Sequence, residues 1–115
     1  MKQAGQIVLF RFPQADLEAG KLRPALLLGQ LLGEYDDWLI CMISTQLRHA
    51  VPKFDEIVQE NDSDFADSGL KVASVIRSGR VAVVQGEMLL GAVGHIAPER
   101  LQRIKRNLAE WLTRS

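Results

Sequence analysis

The chain has one cysteine, two histidines and no excess of either charge. The lone Cys41 excludes an intrachain disulfide framework, and its place inside the apolar run W-L-I-C-M-I marks it as a small core hydrophobe. His49 and His95 lie far apart, so no cluster has the spacing that holds zinc, and no metal site is expected. Neither a Walker loop nor a dinucleotide fingerprint is present, because Gly86, Gly91 and Gly94 do not follow a strand in the required order; no cofactor is expected. A triad of Ser44, His49 and some acid could be drawn, but nothing supplies the nucleophile elbow that would justify it. No apolar stretch reaches the ~20 residues of a membrane span. The opening M-K-Q-A-G-Q has no signal-peptide core, so a cytoplasmic protein away from membranes is expected.

Lysine plus arginine and aspartate plus glutamate both number 14, which excludes a protein that coats nucleic acid through bulk charge. The distribution is uneven all the same. Asp55 to Asp67 holds six acids and no base, whereas from Lys71 onward eight bases face three acids. A local basic surface therefore fits a neutral chain. With 115 residues, 47% of them hydrophobic, the composition describes one globular domain, 1–115, with core enough to fold without staples.

Gln6 to Phe12 is rich in β-formers and stops at Pro13, which predicts a first strand. Pro13 to Leu22 reads as a loop. Pro24 to Leu32 and Trp38 to Ile43 are two apolar strands around a turn at Gly33 to Asp37, and Val51 to Val58 is a fourth strand that Pro52 confines to an edge. Asn61 to Ser68 is a polar loop. Val72 to Arg77 and Arg80 to Gln85 read as two short strands joined by a Ser78-Gly79 hairpin turn. Pro98 then opens a helix that carries Leu101, Ile104, Leu108, Trp111 and Leu112 on one face, with Arg100, Arg103, Lys105 and Arg106 on solvated faces. Short strands followed by one amphipathic helix predict a small twisted sheet or barrel capped by a helix.

Isolated polar groups at the ends of these apolar strands are either a structural salt bridge and a strand terminus or the candidate site. Arg23 stands immediately before Pro24, which restricts it to extended geometry, and Ser44 and Thr45 close the next strand. A guanidinium holds two phosphate oxygens at once, and hydroxyls donate to the same oxygens. Such a set suits transfer of a phosphodiester to an internal nucleophile, as when the ribose 2′-hydroxyl of RNA attacks its own phosphate; proximity then supplies the nucleophile without a metal. Lys21, Gln46, Arg77 and Arg80 are the accompanying candidates for substrate contact, and Asp16 or Glu18 in the first loop for the general base.

The order of the pieces adds to this. G-Q-I-V-L-F-R-F-P, K-L-R-P-A-L-L-L, I-C-M-I-S-T-Q, S-G-L-K-V-A-S-V-I-R and G-H-I-A-P-E-R-L together resemble the MazF/PemK toxins of bacterial toxin–antitoxin modules over nearly the whole chain. The resemblance implies a mainly β fold with helices, an SH3-like barrel (MazF/CcdB-type) with a C-terminal amphipathic helix. It also implies a symmetric homodimer that cleaves single-stranded RNA at selected sequences, and a cognate antitoxin that neutralises it with an acidic disordered tail. The family's arginine before proline matches Arg23, and its hydroxyl ahead of glutamine matches Ser44, commonly a threonine there. Two places after S-V-I-R the family often carries an acid, where this chain has Gly79. The alternatives are a gyrase-binding toxin of CcdB type, acting through its terminal helix, and a non-catalytic SH3-like binding module. The acidic segment Asp55 to Asp67 reads either as a solvated polar loop or as a cover over the basic surface around Arg77 that competes with RNA.

Overall fold

The computed structural model describes residues 2–11 and 21–114; Asp16 and Glu18 lie outside the described residues. The elements are β1 (Gln6–Arg11), β2 (Leu22–Gln30), β3 (Asp37–Ser44), β4 (Glu56–Val58), α1 (Phe65–Ser68), β5 (Ser74–Gln85), β6 (Leu89–His95) and α2 (Pro98–Arg114). The strands form one six-stranded sheet in the order β4-β5-β3-β2-β1-β6, with every neighbouring pair antiparallel. No helix among the described residues is long and apolar enough to cross a membrane.

The apolar run in β2 is continuous because both faces of the sheet are packed. Leu26 and Leu28 join Ile7, Cys41, Ile43 and Ile76 on the face beneath α2, where Leu101, Ile104 and Leu108 close the core. The intervening Ala25 and Leu27 join Val8, Phe10, Trp38 and Ile40 on the opposite face. Burial pushes the Cys41 thiol up to about 12, with a further push from the Asp55 charge, so it stays protonated and unreactive at neutral pH. Trp111 and Leu112 continue the α2 stripe but remain 50% and 60% exposed, so the helix buries only its first half fully.

Four sequence expectations change. Ser78 and Gly79 do not turn a hairpin: β5 runs through them as one 12-residue strand. They form a bulge against β3, whose Met42 pairs with Arg77 while the adjacent Cys41 pairs with Val81. The bulge is held from outside the strand, since Asp55 Oδ1 accepts from the Ser78 N–H at 2.9 Å and Ser78 Oγ donates to the Phe54 carbonyl at 3.3 Å. Leu89–His95, for which the sequence predicts no element, is an edge strand that pairs with β1 through two register shifts. The segment Val51 to Val58 is strand only at Glu56–Val58, on the expected edge. Asn61 to Ser68 contains the short helix α1, whose Phe65 packs on the core.

Arg100 is a further correction, and it takes Asp62 and Asp64 out of the expected cover over Arg77. Rather than facing solvent it is 8% exposed. Its Nε and Nη2 donate to the two Asp64 carboxylate oxygens at 2.9 and 3.0 Å, Nη2 to Asp62 Oδ2 at 3.0 Å, and Nη1 to Glu56 Oε1 at 3.0 Å. Three acids of the segment, Glu56, Asp62 and Asp64, are spent on this one guanidinium, so Asp62 and Asp64 do not lie over Arg77. Hydrogen bonds from Arg100 chiefly, and from the Ala97 N–H, hold the Asp64 carboxyl below its usual range against the opposing effect of burial.

Candidate phosphate-binding site

β2 and β3 bring the principal candidates together. The β2–β3 ladder ends at Ala25 and Met42, and the same register carried two residues further sets Arg23 opposite Ser44. Pro24, which has no N–H to give, stands just past the end of that ladder, where β3 asks nothing of it. The chain is thus free to splay at these strand ends, and a cavity of about 690 Å³ opens there. Arg23, Ser44, Thr45, Gln46, Arg77 and Arg80 all line it.

Residues 77 and 80 reach the same cavity because of the bulge. A regular strand would put positions three apart on opposite faces, and the extra residues opposite Met42 and Cys41 re-aim them. Arg77 is half-buried, and its Nε is enclosed with no hydrogen-bond partner among the described residues. An enclosed donor without a partner is costly. Asp55 lines a separate, smaller pocket of about 220 Å³ together with Arg77 and Arg80, but both its oxygens already accept backbone N–H groups, from Ser78 and Val51.

At the end of β3 the hydroxyl is preset. The Gln46 N–H donates to Ser44 Oγ at 3.0 Å, which leaves the Ser44 proton to be given to something else. No carboxylate lines the cavity among its described residues, so its ionic lining is entirely cationic. Lys21 is exposed at the foot of β2 and does not line the cavity; Asp16 and Glu18 lie outside the described residues.

Two polar lining residues, Lys71 and Ser74, stand outside the candidate set although they lie in the S-G-L-K-V-A-S-V-I-R piece. They are placed by backbone packing: Gly69 caps α1 in the left-handed region (φ 74°) and lies flat on the Val93 backbone, while Gly94 lies on the backbone of Asp67 and Ser68. A side chain at either glycine would separate α1 from β6 and shift the 69–72 wall. Lys71 adds a fourth cation beside Arg23, Arg77 and Arg80.

A family model described as "PemK-like, MazF-like toxin of type II toxin-antitoxin system" matches residues 3–112. Among solved structures, the MazE–MazF pair of Deinococcus radiodurans is similar at TM-score 0.71 and 20% identity, over 99% of this chain and 97% of that one. An endoribonuclease in complex with its cognate antitoxin from mycobacterial species is similar at TM-score 0.66 and 14% identity, over 98% and 96%. The Mycobacterium tuberculosis toxin MazF-mt6 is similar at 0.65 and 17%, over 94% and 96%. At these identities the likeness is one of fold. No curated protein matches the chain significantly.

Proposed function

The chain belongs to the PemK-like, MazF-like toxin family of type II toxin–antitoxin systems, and from that membership we propose that it is a metal-independent endoribonuclease acting on single-stranded RNA at the cavity between β2, β3 and β5. The observation that carries this reading is the convergence of Arg23, Ser44, Thr45, Arg77 and Arg80, from three strands and a bulge, on one space with no carboxylate among its described lining residues.

The attacking 2′-oxygen forms a bond to phosphorus while the bond to the 5′-oxygen breaks, which leaves a cyclic phosphate and a free 5′-hydroxyl. Charge grows on the non-bridging oxygens at the midpoint, where the Arg23 guanidinium offsets it and the Ser44 and Thr45 hydroxyls orient the group. Arg77 and Arg80 hold flanking phosphates. In this reading the proton lost by the 2′-hydroxyl goes to Asp16 or Glu18, and the departing 5′-oxygen takes one from water. Because the nucleophile is part of the substrate, no metal is needed to generate it.

Purified protein should cut single-stranded RNA in EDTA and leave 2′,3′-cyclic phosphate and 5′-hydroxyl ends. Intact RNA, or cleavage that appears only when metal is added, would overturn the reading. RNA cleavage also separates it from a gyrase-binding toxin, for which the half-exposed Trp111 and Leu112 at the end of α2 would be the contact surface.

The same cationic cavity is suited to an acidic antitoxin tail, which would order on contact and exclude RNA by occupying its phosphate positions. A homodimer completes the proposal: Val72 and Val93, at the cavity, are 47% and 42% exposed, an apolar rim of the kind a second copy would cover. Light scattering at micromolar concentration should return about twice the mass of one chain, and a strict monomer would remove this part of the model.

A further inference from the structure

Gln46 lines the cavity one residue beyond the hydroxyl pair, and its side-chain amide is held in one orientation. Its Oε1 accepts from Arg48 Nη1 at 2.8 Å, across the first turn of the 3₁₀ segment Leu47–His49. Turning the amide over would set its NH₂ against the guanidinium, donor against donor, and forfeit a charge-assisted bond. With the carbonyl committed, the amide has only N–H donors left. The bond from the Gln46 backbone N–H to Ser44 Oγ fixes the Gln46 backbone beside the hydroxyl that orients the phosphate.

The charged groups around it have the same polarity. Arg23, Lys71, Arg77 and Arg80 can donate and cannot accept, and no carboxylate stands among the described lining residues. Hydroxyl oxygens are the remaining side-chain acceptors, and Ser74, which gives its proton to the Val72 carbonyl at 2.9 Å, is one of them.

We propose that Gln46, oriented by Arg48, makes this cavity select a base with an exocyclic carbonyl beside the bound phosphate: uracil over cytosine, and guanine over adenine. The inference rests on the phosphate-binding reading of the same site. Uracil O4 and guanine O6 accept from the amide N–H. The N4 amino group of cytosine and the N6 amino group of adenine meet it as donors, and both partners are left unpaired. Uracil and cytosine are nearly the same size and shape, so the pair isolates hydrogen-bond polarity from fit. One mispaired donor at a half-open site corresponds to a preference of about five- to tenfold.

The test is a titration of the full chain with 3′-UMP, 3′-CMP and inorganic phosphate, followed by calorimetry or NMR shifts. Wild-type protein should bind 3′-UMP about five- to tenfold more tightly than 3′-CMP. In Gln46→Glu the preference should invert, because a carboxylate accepts from the cytosine amino group. The ratio of the two affinities is what is read, since the added charge weakens every anionic ligand alike. In Arg48→Met the amide can turn over and the ratio should fall toward one. Equal affinities in the wild type, or a uracil preference kept in Gln46→Glu, would overturn the inference. Wild-type protein that cleaves RNA but ignores the base defeats this inference alone. Discrimination between the nucleotides without any RNA cleavage supports it and defeats the enzymatic reading alone. Failure of all three ligands to bind defeats both. Both substituted side chains are exposed, and unchanged thermal unfolding would confirm that the variants are folded.

Discussion

Arg23→Ala should lower RNA cleavage by roughly a hundred- to a thousandfold, the scale of losing one transition-state donor. The argument is positional. Arg23 stands where the β2–β3 ladder has ended, opposite Ser44, with Pro24 holding its backbone extended. Its charge is directed to the space that Ser44 and Thr45 also face, and a guanidinium there meets two oxygens of the phosphate as negative charge develops. Arg23→Lys keeps the charge but not the paired donors, and should recover only part of the loss. Ser44→Ala should cost less than Arg23→Ala, because Thr45 lines the same cavity and can donate in its place. The effect should fall on kcat, with RNA affinity changing less, because Arg77, Arg80 and Lys71 still attract the phosphates. An Arg23→Ala protein that cleaves as fast as the parent would end the proposed mechanism, whatever the affinities.

How much of this was legible in the chain depends on whether the decisive contact is local. β1, β2 and β3 could be read because each is an apolar run closed by a glycine, a proline or a polar cluster, and packing on both faces keeps the runs unbroken. The helix could be read from Pro98, Glu99 and its stripe. Ser78-Gly79 has the composition of a turn, yet two bonds from a segment more than twenty residues away make it a bulge. β6 was missed because a glycine-bearing strand with two register shifts lacks a period-2 signal. Arg23, Ser44, Thr45, Gln46, Arg77 and Arg80, named from residue chemistry and from the order of the family's pieces, do line one cavity, which is as far as the structure takes them. Lys71 and Ser74 were not named, since only the close approach of Gly69 and Gly94 brings their segment to the cavity. Lys21 stands exposed just ahead of β2 and does not line the cavity. Arg100 was misread because helical periodicity says which way a side chain leaves the helix and not what stands opposite.

That misreading identifies the largest stability effect expected in the molecule. Arg100→Met should destabilise the fold by about 3–5 kcal/mol, as expected when a buried ion pair loses one partner and leaves the other uncompensated. The Asp64 side chain is 6% exposed and has both oxygens on Arg100, while its Oδ2 also accepts the Ala97 N–H at 3.0 Å where α2 begins. Without the guanidinium, Glu56, Asp62 and Asp64 repel one another at the junction of β4, α1 and α2. Arg103→Met is the control: its own bond to Glu56 is made by a side chain 49% exposed, and such a pair contributes about 0–1 kcal/mol. Acid should reveal the same linkage. Asp64 titrates lower in the folded protein than in the unfolded chain, so its contribution is fully present above the unfolded carboxylate value of about 3.9 and is lost as pH falls through the folded one. Denaturant midpoints for wild type and Arg100→Met should therefore differ widely at neutral pH and converge under acid. A gap that stayed constant from neutral pH into acid would mean that Arg100 acts through packing of its aliphatic stem, and a variant as stable as the parent would mean that the cluster does not hold the fold together.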